Sequence, residues 1–263
     1  MAKQNSLLWR ITPAKGGQDS FLFGTMHVRD IRAFGWIETA RETISQCDIF
    51  ATEFDFSEAD SVALSSALTL PEGKTLQDFL SRGAWKQLIY FSQKKLGIDV
   101  ASIQHMHPMS VSAMLATANM QDDMAQSLDE TLYGIATSMG KETTGVETFQ
   151  DQIKTLHKIS FEQHLKNLTW TLKNKKRQQK RMKKMMKQYE SGDIKALYQS
   201  AKKDAKGMRK ILIYDRNITM ANRFLEIANE KALFCAVGAG HLAGGKGMLR
   251  ILKRLGCKVR PVF

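Results

Sequence analysis

The chain is short of several things, and each shortage excludes a class of protein. Its three cysteines, Cys47, Cys235 and Cys257, are too few and wrongly spaced for a disulfide framework or a structural zinc site. They read as small buried apolar residues in a reducing compartment. No uninterrupted apolar run approaches the roughly 20 residues needed to span a bilayer. Leu7, Leu8 and Trp9 are followed at once by Arg10, so no secretory apolar core is visible. A cytoplasmic protein is expected, unless a leader has been removed. The H-E-x-x-H and G-x-S-x-G signatures are both missing, which removes two familiar hydrolase designs.

Acidic residues are also absent after Gly247. That shortage decides the reading of Gly238-Ala-Gly-His-Leu-Ala243, which otherwise matches a dinucleotide fingerprint after a strand. The ribose-binding acid of such a site should follow about 20 residues later. Gly240 to Lys246 likewise imitates a phosphate loop, but Gly247 stands where a magnesium-binding Ser or Thr is needed. Nucleotide binding is therefore not expected.

What is present suits a globular enzyme-sized chain: 43% hydrophobic residues over 263 positions. Leu8–Ile11 and Phe21–Phe23 predict a hairpin across Pro13, Gly16 and Gly17. Trp36, Ile37, Ala40 and Ile44 lie at helical spacing, and Ile49–Phe54 reads as a strand ending in Glu53. Residues 57 to 140 look mainly helical, with a break at Gly83, a helix opened by Pro108 and running through Met120, and a C-cap at Gly140. A strand at Thr144–Val146 delivers Glu147. No strand is expected from Thr148 to about Ala228, where Ser191-Gly192-Asp193 marks a break and a new N-cap. The sheet resumes at Leu233, a helix follows Gly244-Gly245, and Lys258–Val262 closes the chain. The expected fold class is α/β: a loosely repeated core built from both chain ends (1–155 and 208–263), with a helical, basic insertion at 156–207.

Two Gly-x-x-His motifs end strand-like runs near opposite ends of the chain, Gly24-Thr-Met-His27 and Gly238-Ala-Gly-His241. With 18 glycines and 6 histidines, chance predicts only about 0.4 of them. Strand ends gather along one edge of an α/β sheet, where ligands bind. His27 and His241 could therefore share a mixed nitrogen and oxygen metal site with nearby carboxylates, a donor set that suits manganese, cobalt, iron or zinc alike. The glycines would let the backbone turn sharply and a ligand approach closely. Glu53, flanked by Phe54 and Phe56, is a candidate acid or base if buried. Glu147 could equally stabilise the next helix N-terminus, and Asp129 could be an ordinary first-turn residue. His105 and His107 read as a loop before Pro108, and His157 and His164 as helical packing residues.

The net charge of +13 is concentrated in Lys173–Lys187, which carries no acid. As a solvated helix face it needs no partner. As a patch it could meet acidic peptides, anionic lipid or nucleic acid. No aromatics interleave for base stacking and no nucleic-acid motif accompanies it, so no specific nucleic acid is expected.

Taken together, the pattern resembles the TraB/PrgY/GumN family, related to the Tiki metalloproteases. The matching pieces run in order: Phe21–Val28, Ala51–Glu53, Leu128-Asp129, Gly145–Gln150, Tyr189–Asp193, Asp215–Asn217 with Met220-Ala221, and Val237–Leu242 with Gly247 and Gly256. The resemblance implies a bacterial-type metal-dependent hydrolase, most plainly a peptidase acting on a peptide or protein. It makes His27, His241 and Asp129 metal-ligand candidates and Glu53, Glu147 and Arg216 catalytic candidates, and it implies a divalent ion such as manganese, cobalt or zinc. The rival expectation is a non-catalytic protein that sequesters acidic peptides or docks on anionic surfaces through residues 173–187.

Overall fold

The computed structural model describes residues 5–14, 16–55, 68–118 and 123–263. Phe56, the helix expected from residue 57 as far as 67, and Met120 lie outside them. The chain divides into two compact units, one of Met1–Glu58, Gln121–Thr155 and Met185–Phe263, the other of Ala59–Met120 and Leu156–Lys184. These limits differ from a division at 155 and 208. The stretch before residue 121 groups with the helices at 156–184, because Leu76, Leu88, Val111 and Leu115 share a core with Leu168 and Leu172, while 185–207 group with the sheet.

The first unit is the α/β unit that the sequence predicts. Its strands are β1 (Leu8–Thr12), β2 (Ser20–Thr25), β3 (Ile49–Phe54), β4 (Glu142–Glu147), β5 (Leu233–Gly238) and β6 (Lys258–Pro261), in one mixed sheet ordered β4-β3-β5-β2-β1-β6. The hairpin of β1 and β2 is antiparallel, as is β1 with β6. The four strands from β4 to β2 are mutually parallel. Parallel strands buried on both faces should be apolar throughout, and β2 and most of β5 are buried at every position.

Phe50 and Phe234 sit in register on β3 and β5, with ring centroids 5.8 Å apart, and Phe23 stands 6.0 Å from Phe234. Such aromatic pairs contribute roughly 0.5–1.5 kcal/mol each beyond their area. The helices of this unit include α1 (Ile37–Ser45), preceded by a tight turn at Ile31–Trp36. Outside the second unit also lie Leu128–Ser138, Ile194–Ala205, Asp215–Ala228 and Met248–Arg254. The Leu128–Ser138 helix opens on a capping box between Ser127 and Glu130, a sequence signal for a helix start. Gly140 and Gly192 take positive φ at the expected breaks.

The second unit is helical. In chain order through both units, the helices after α1 are α2 (Leu76–Phe79), α3 (Arg82–Phe91), α4 (Pro108–Thr117), α5 (Leu128–Ser138), α6 (Phe149–His157), α7 (Phe161–Lys173), α8 (Lys175–Glu190), α9 (Ile194–Ala205), α10 (Asp215–Ala228) and α11 (Met248–Arg254), of which α2, α3, α4, α7 and the first part of α8 belong to the second unit. Leu88, Val111, Leu115, Leu168 and Leu172 from α3, α4 and α7 close its core. Gly83 does not break the helical run. The break falls at Leu80, which is extended, and Ser81 then caps α3 through Ala84 N, leaving Gly83 in its first turn. His107 caps α4, its Nδ1 accepting from Met109 N at 3.3 Å, and packs edge-on against His164 with ring centroids 4.9 Å apart.

Candidate functional site

The parallel register sets the site. Thr25 of β2 lies beside Gly238 of β5, and Phe54 of β3 beside Glu147 of β4, so all four strands end along one edge. His27 follows β2 by two residues, His241 follows β5 by three, Glu53 is the penultimate residue of β3 and Glu147 the last of β4. Asp129 enters from the first turn of α5 and Arg216 from the first turn of α10, which a single π turn at Lys210–Tyr214 leads into. The six residues singled out from the sequence all belong to this unit.

Neither glycine of the two motifs takes a positive φ, so a sharp turn is not what they provide. A Cβ on Gly24 would lie 2.6 Å from Leu242 Cδ1 and 3.1 Å from Ala239 Cα, because the turn after β5 presses on β2. A Cβ on Gly238 would lie 3.2 Å from Glu53 Oε1. One glycine thus permits two strand ends to meet, and the other makes room for a carboxylate.

At the centre is a guanidinium held between two carboxylates. Arg216 Nη2 donates to Glu53 Oε2 at 2.6 Å and to Glu147 Oε2 at 2.5 Å, while Nε donates to both Glu147 oxygens at 3.0 Å. Glu147 has its side chain only 2% exposed, against 26% for Glu53. Among the described residues, the hydrogen bonds of the Glu147 carboxylate all go to Arg216. Glu53 also accepts from Gly238 N at 2.9 Å. Burial alone would raise the Glu53 carboxyl, but the charge of Arg216, His241 and the Gly238 N–H outweigh it and hold it at about 2. Burial raises Glu147, with Arg216 opposing and the neighbouring Glu53 charge adding to the rise. The triad thus has one firmly ionised carboxylate and one displaced toward protonation.

His241 is oriented by a neighbour that sequence reasoning did not single out. Asn217 is fully buried; its Nδ2 donates to Lys246 O at 2.7 Å, which fixes the amide so that Oδ1 faces His241 Nδ1 at 2.6 Å. Nδ1 must then carry the proton, leaving the Nε2 lone pair free, 3.9 Å from Glu53 Oε1. Burial foremost pushes His241 down to about 4, against the pull of Glu53, so it is neutral near pH 7. A neutral imidazole with its second nitrogen anchored is the form that ligates metals.

His27 is the exposed member, 72% open, with Nδ1 3.4 Å from Asp129 Oδ2. Asp129 raises it, with burial opposing. Asp129 Oδ1 accepts from Thr25 Oγ1 at 2.6 Å, while the buried Oδ2 faces His27 Nδ1 and no other donor among the described residues. Behind the motif, fully buried Tyr189 donates its O–H to Gly24 O at 2.8 Å. Thr25, Tyr189 and Asn217 sit within the family-like segments, and that membership was the one sequence signal that could have marked them.

Among the described residues, no three His, Cys, Asp or Glu side chains converge as a ready metal cluster. The donors stand instead as two pairs, His27 with Asp129 and His241 with Glu53. Their chemistry fits a divalent ion: two imidazoles, an ionised carboxylate, and a buried carboxylate oxygen whose one neighbour is an imidazole.

Comparisons with known proteins place the chain among relatives along nearly its whole length. A family model described as the TraB/PrgY/gumN family matches residues 7–261. The chain is 26% identical to Metalloprotease TIKI1 of Homo sapiens, over 97% of this chain and 61% of that protein. It is 24% identical to Metalloprotease TIKI2 of Danio rerio, over 97% and 60% respectively. A Metalloprotease TIKI homolog of Amphimedon queenslandica is 22% identical over 98% of the chain and 62% of its own length. The chain therefore spans about three fifths of the length of these relatives. No solved structure matches it.

Proposed function

The chain belongs to the TraB/PrgY/gumN family, and on that premise we propose that it is a metal-dependent peptidase whose centre is the strand edge carrying His27, Asp129, His241 and Glu53. The observation that carries the reading is His241, held by Asn217 with the Nε2 lone pair free beside Glu53 on the same sheet edge as the His27–Asp129 pair. Asp129 Oδ2 is buried and, among the described residues, faces only His27 Nδ1, at 3.4 Å, so a cation there would be well matched.

His27 and Asp129 would hold the ion from one side and His241 and Glu53 from the other. Bound there, manganese, cobalt or zinc supplies Lewis acidity toward a scissile carbonyl. Thr25 holds Asp129 by its other oxygen, and Asn217 keeps the Nε2 lone pair of His241 facing Glu53. Arg216 commits Nε and Nη2 to the two carboxylates, so it orients them first. Its remaining amino group, Nη1, is the donor left for a substrate oxygen carrying developing negative charge. Glu147, displaced toward protonation, is the better placed of the two carboxylates to take up a proton, and Glu53 the better ligand.

A peptide-library cleavage screen with manganese, cobalt and zinc, and with chelator, tests the proposal. Cleavage restored by a metal after chelation, and lost in His241→Ala, is expected. Cleavage that is indifferent to chelator would overturn it.

A further inference from the structure

The second unit carries a feature that peptide hydrolysis does not use. Lys176, Arg177, Lys180, Lys183 and Lys184 are all exposed on α8, and Lys173 at the end of α7 continues them. At 100° per residue the five on α8 fall within about a 120° arc of the helix. Met182 points to the opposite side of the same helix and is half-buried. On α8 itself, from Lys176 to Lys184, the stripe is roughly 12 Å long. Lys176, Lys180, Lys183 and Lys184 make no ion pair with any described carboxylate, and the segment itself holds no acid.

The aromatic rings beside the stripe have their faces occupied. The guanidinium carbons of Arg177 and Arg181 lie 5.9 and 5.8 Å from the Trp170 ring centre. Lys175 Nζ lies 4.2 Å from that of Phe91 and 5.1 Å from that of Tyr90. A single-stranded nucleic acid stacks successive bases on a series of open rings, and beside this stripe Tyr90 is the one described ring that stands exposed. Five of the six stripe residues are lysines, which act as mobile point charges and lack the bidentate fork that grips one phosphate or carboxylate. Tyr90 is nonetheless 58% exposed, an amphipathic ring of the kind that settles at a headgroup boundary.

We propose that this stripe, with Tyr90 at its flank, docks the protein on an anionic phospholipid surface. A straight row of flexible cations is matched by a flat, diffuse negative charge better than by a folded partner with fixed carboxylates. Attraction of this kind is additive over charges and decays within about 10 Å at 0.1 M salt. The inference stands independently of the peptidase reading, since it concerns other residues and a different readout.

Vesicle flotation tests it, using the full chain with phosphatidylcholine vesicles alone or containing about a third phosphatidylserine. Binding is expected only with phosphatidylserine and should vanish as salt rises from about 0.05 to about 0.5 M. Neutralising each stripe lysine should weaken partitioning about fivefold. The combined variant Lys176→Gln, Lys180→Gln, Lys183→Gln and Lys184→Gln should therefore lose more than about a hundredfold. A control removing four exposed charges elsewhere, at Lys253, Arg254, Lys258 and Arg260, should stay close to wild type. Circular dichroism confirms that both variants fold. The proposal fails if neutral vesicles bind as well, if the stripe variant binds like wild type, or if the control loses as much. It also fails if an RNA or a polyglutamate competitor strips the protein from the vesicles at equal charge concentration.

Discussion

Replacing Arg216 by methionine keeps most of the side-chain volume and removes the cation that Glu53 and Glu147 share. Glu147 has its side chain 2% exposed, and among the described residues its short contacts to a cation are made with this guanidinium. Breaking a buried ion pair from one side typically costs about 3–5 kcal/mol, because the stranded charge keeps its desolvation penalty. Here two carboxylates are stranded near each other, which places Arg216→Met at the upper part of that range at pH 7. For a unit of this size that is a fall in melting temperature on the order of 10 °C.

The loss should shrink at lower pH, because Glu147 is already displaced toward protonation and can take a proton once Arg216 is gone. It should also shrink when Glu147→Gln is added, since the double variant strands one charge fewer. Urea unfolding followed by circular dichroism at pH 7 and pH 5, on the wild type, both single variants and the double, measures this. An Arg216→Met protein within about 1 kcal/mol of wild type at pH 7 would refute the reasoning, because such a small loss belongs to solvent-exposed pairs.

Other consequences can be checked the same way. Burial first, then His164 and His157, lower His107 from 6.5 to about 4, so the unfolded chain binds the extra proton between those values. Stability present above pH 6.5 should fall toward pH 4, by up to roughly 2 kcal/mol after allowing for partial exposure. His107→Asn, which keeps a capping acceptor but cannot titrate, should flatten that part of a pH-resolved denaturation curve; an unchanged slope would count against it. Tyr189→Phe removes the donor to Gly24 O and should cost about 0.5–1.5 kcal/mol by urea titration. Gly145→Ala should lose near the top of about 1–3 kcal/mol. Its Cβ would lie 2.5 Å from Glu147 O and 2.7 Å from Asp55 N, both backbone atoms. Gly134→Ala, with open space at its Cβ inside α5, should be neutral or stabilising by about 0.5–1 kcal/mol and serves as the contrast.

The strands were legible because their signals are local. Ile49–Phe54 was delimited by its apolar run, and Leu233–Gly238 by its run and terminal glycine. The helix breaks at Gly140 and Gly192 were equally plain. Gly83 misled because a glycine near a helix start costs little there, while the actual stop came from an extended Leu80 that nothing local marks. The grouping of residues 59–120 with 156–184 depends on contacts distant in sequence, which periodicity does not contain.

For the site, the two glycine-histidine motifs and the acids at strand ends were readable, since a parallel sheet must bring such ends to one edge. The clamp of Arg216 on two glutamates was not. Neither was the role of Asn217, because a hydrogen bond between α10 and the loop after β5 leaves no spacing in the chain. The reason for Gly24 was misread for the same cause: its need comes from Ala239 and Leu242, more than 200 residues away.

A cobalt titration of the purified, chelator-stripped protein, read by visible absorption and by elemental analysis, tests the central claim most directly. About one equivalent should bind with mixed imidazole and carboxylate character. Affinity should fall as acid protonates His27, whose pKa is raised above 6.5. His27→Ala and His241→Ala should each lose binding while keeping the wild-type circular dichroism spectrum. Retention of wild-type cobalt binding by both variants would contradict the assignment of this strand edge as a metal centre.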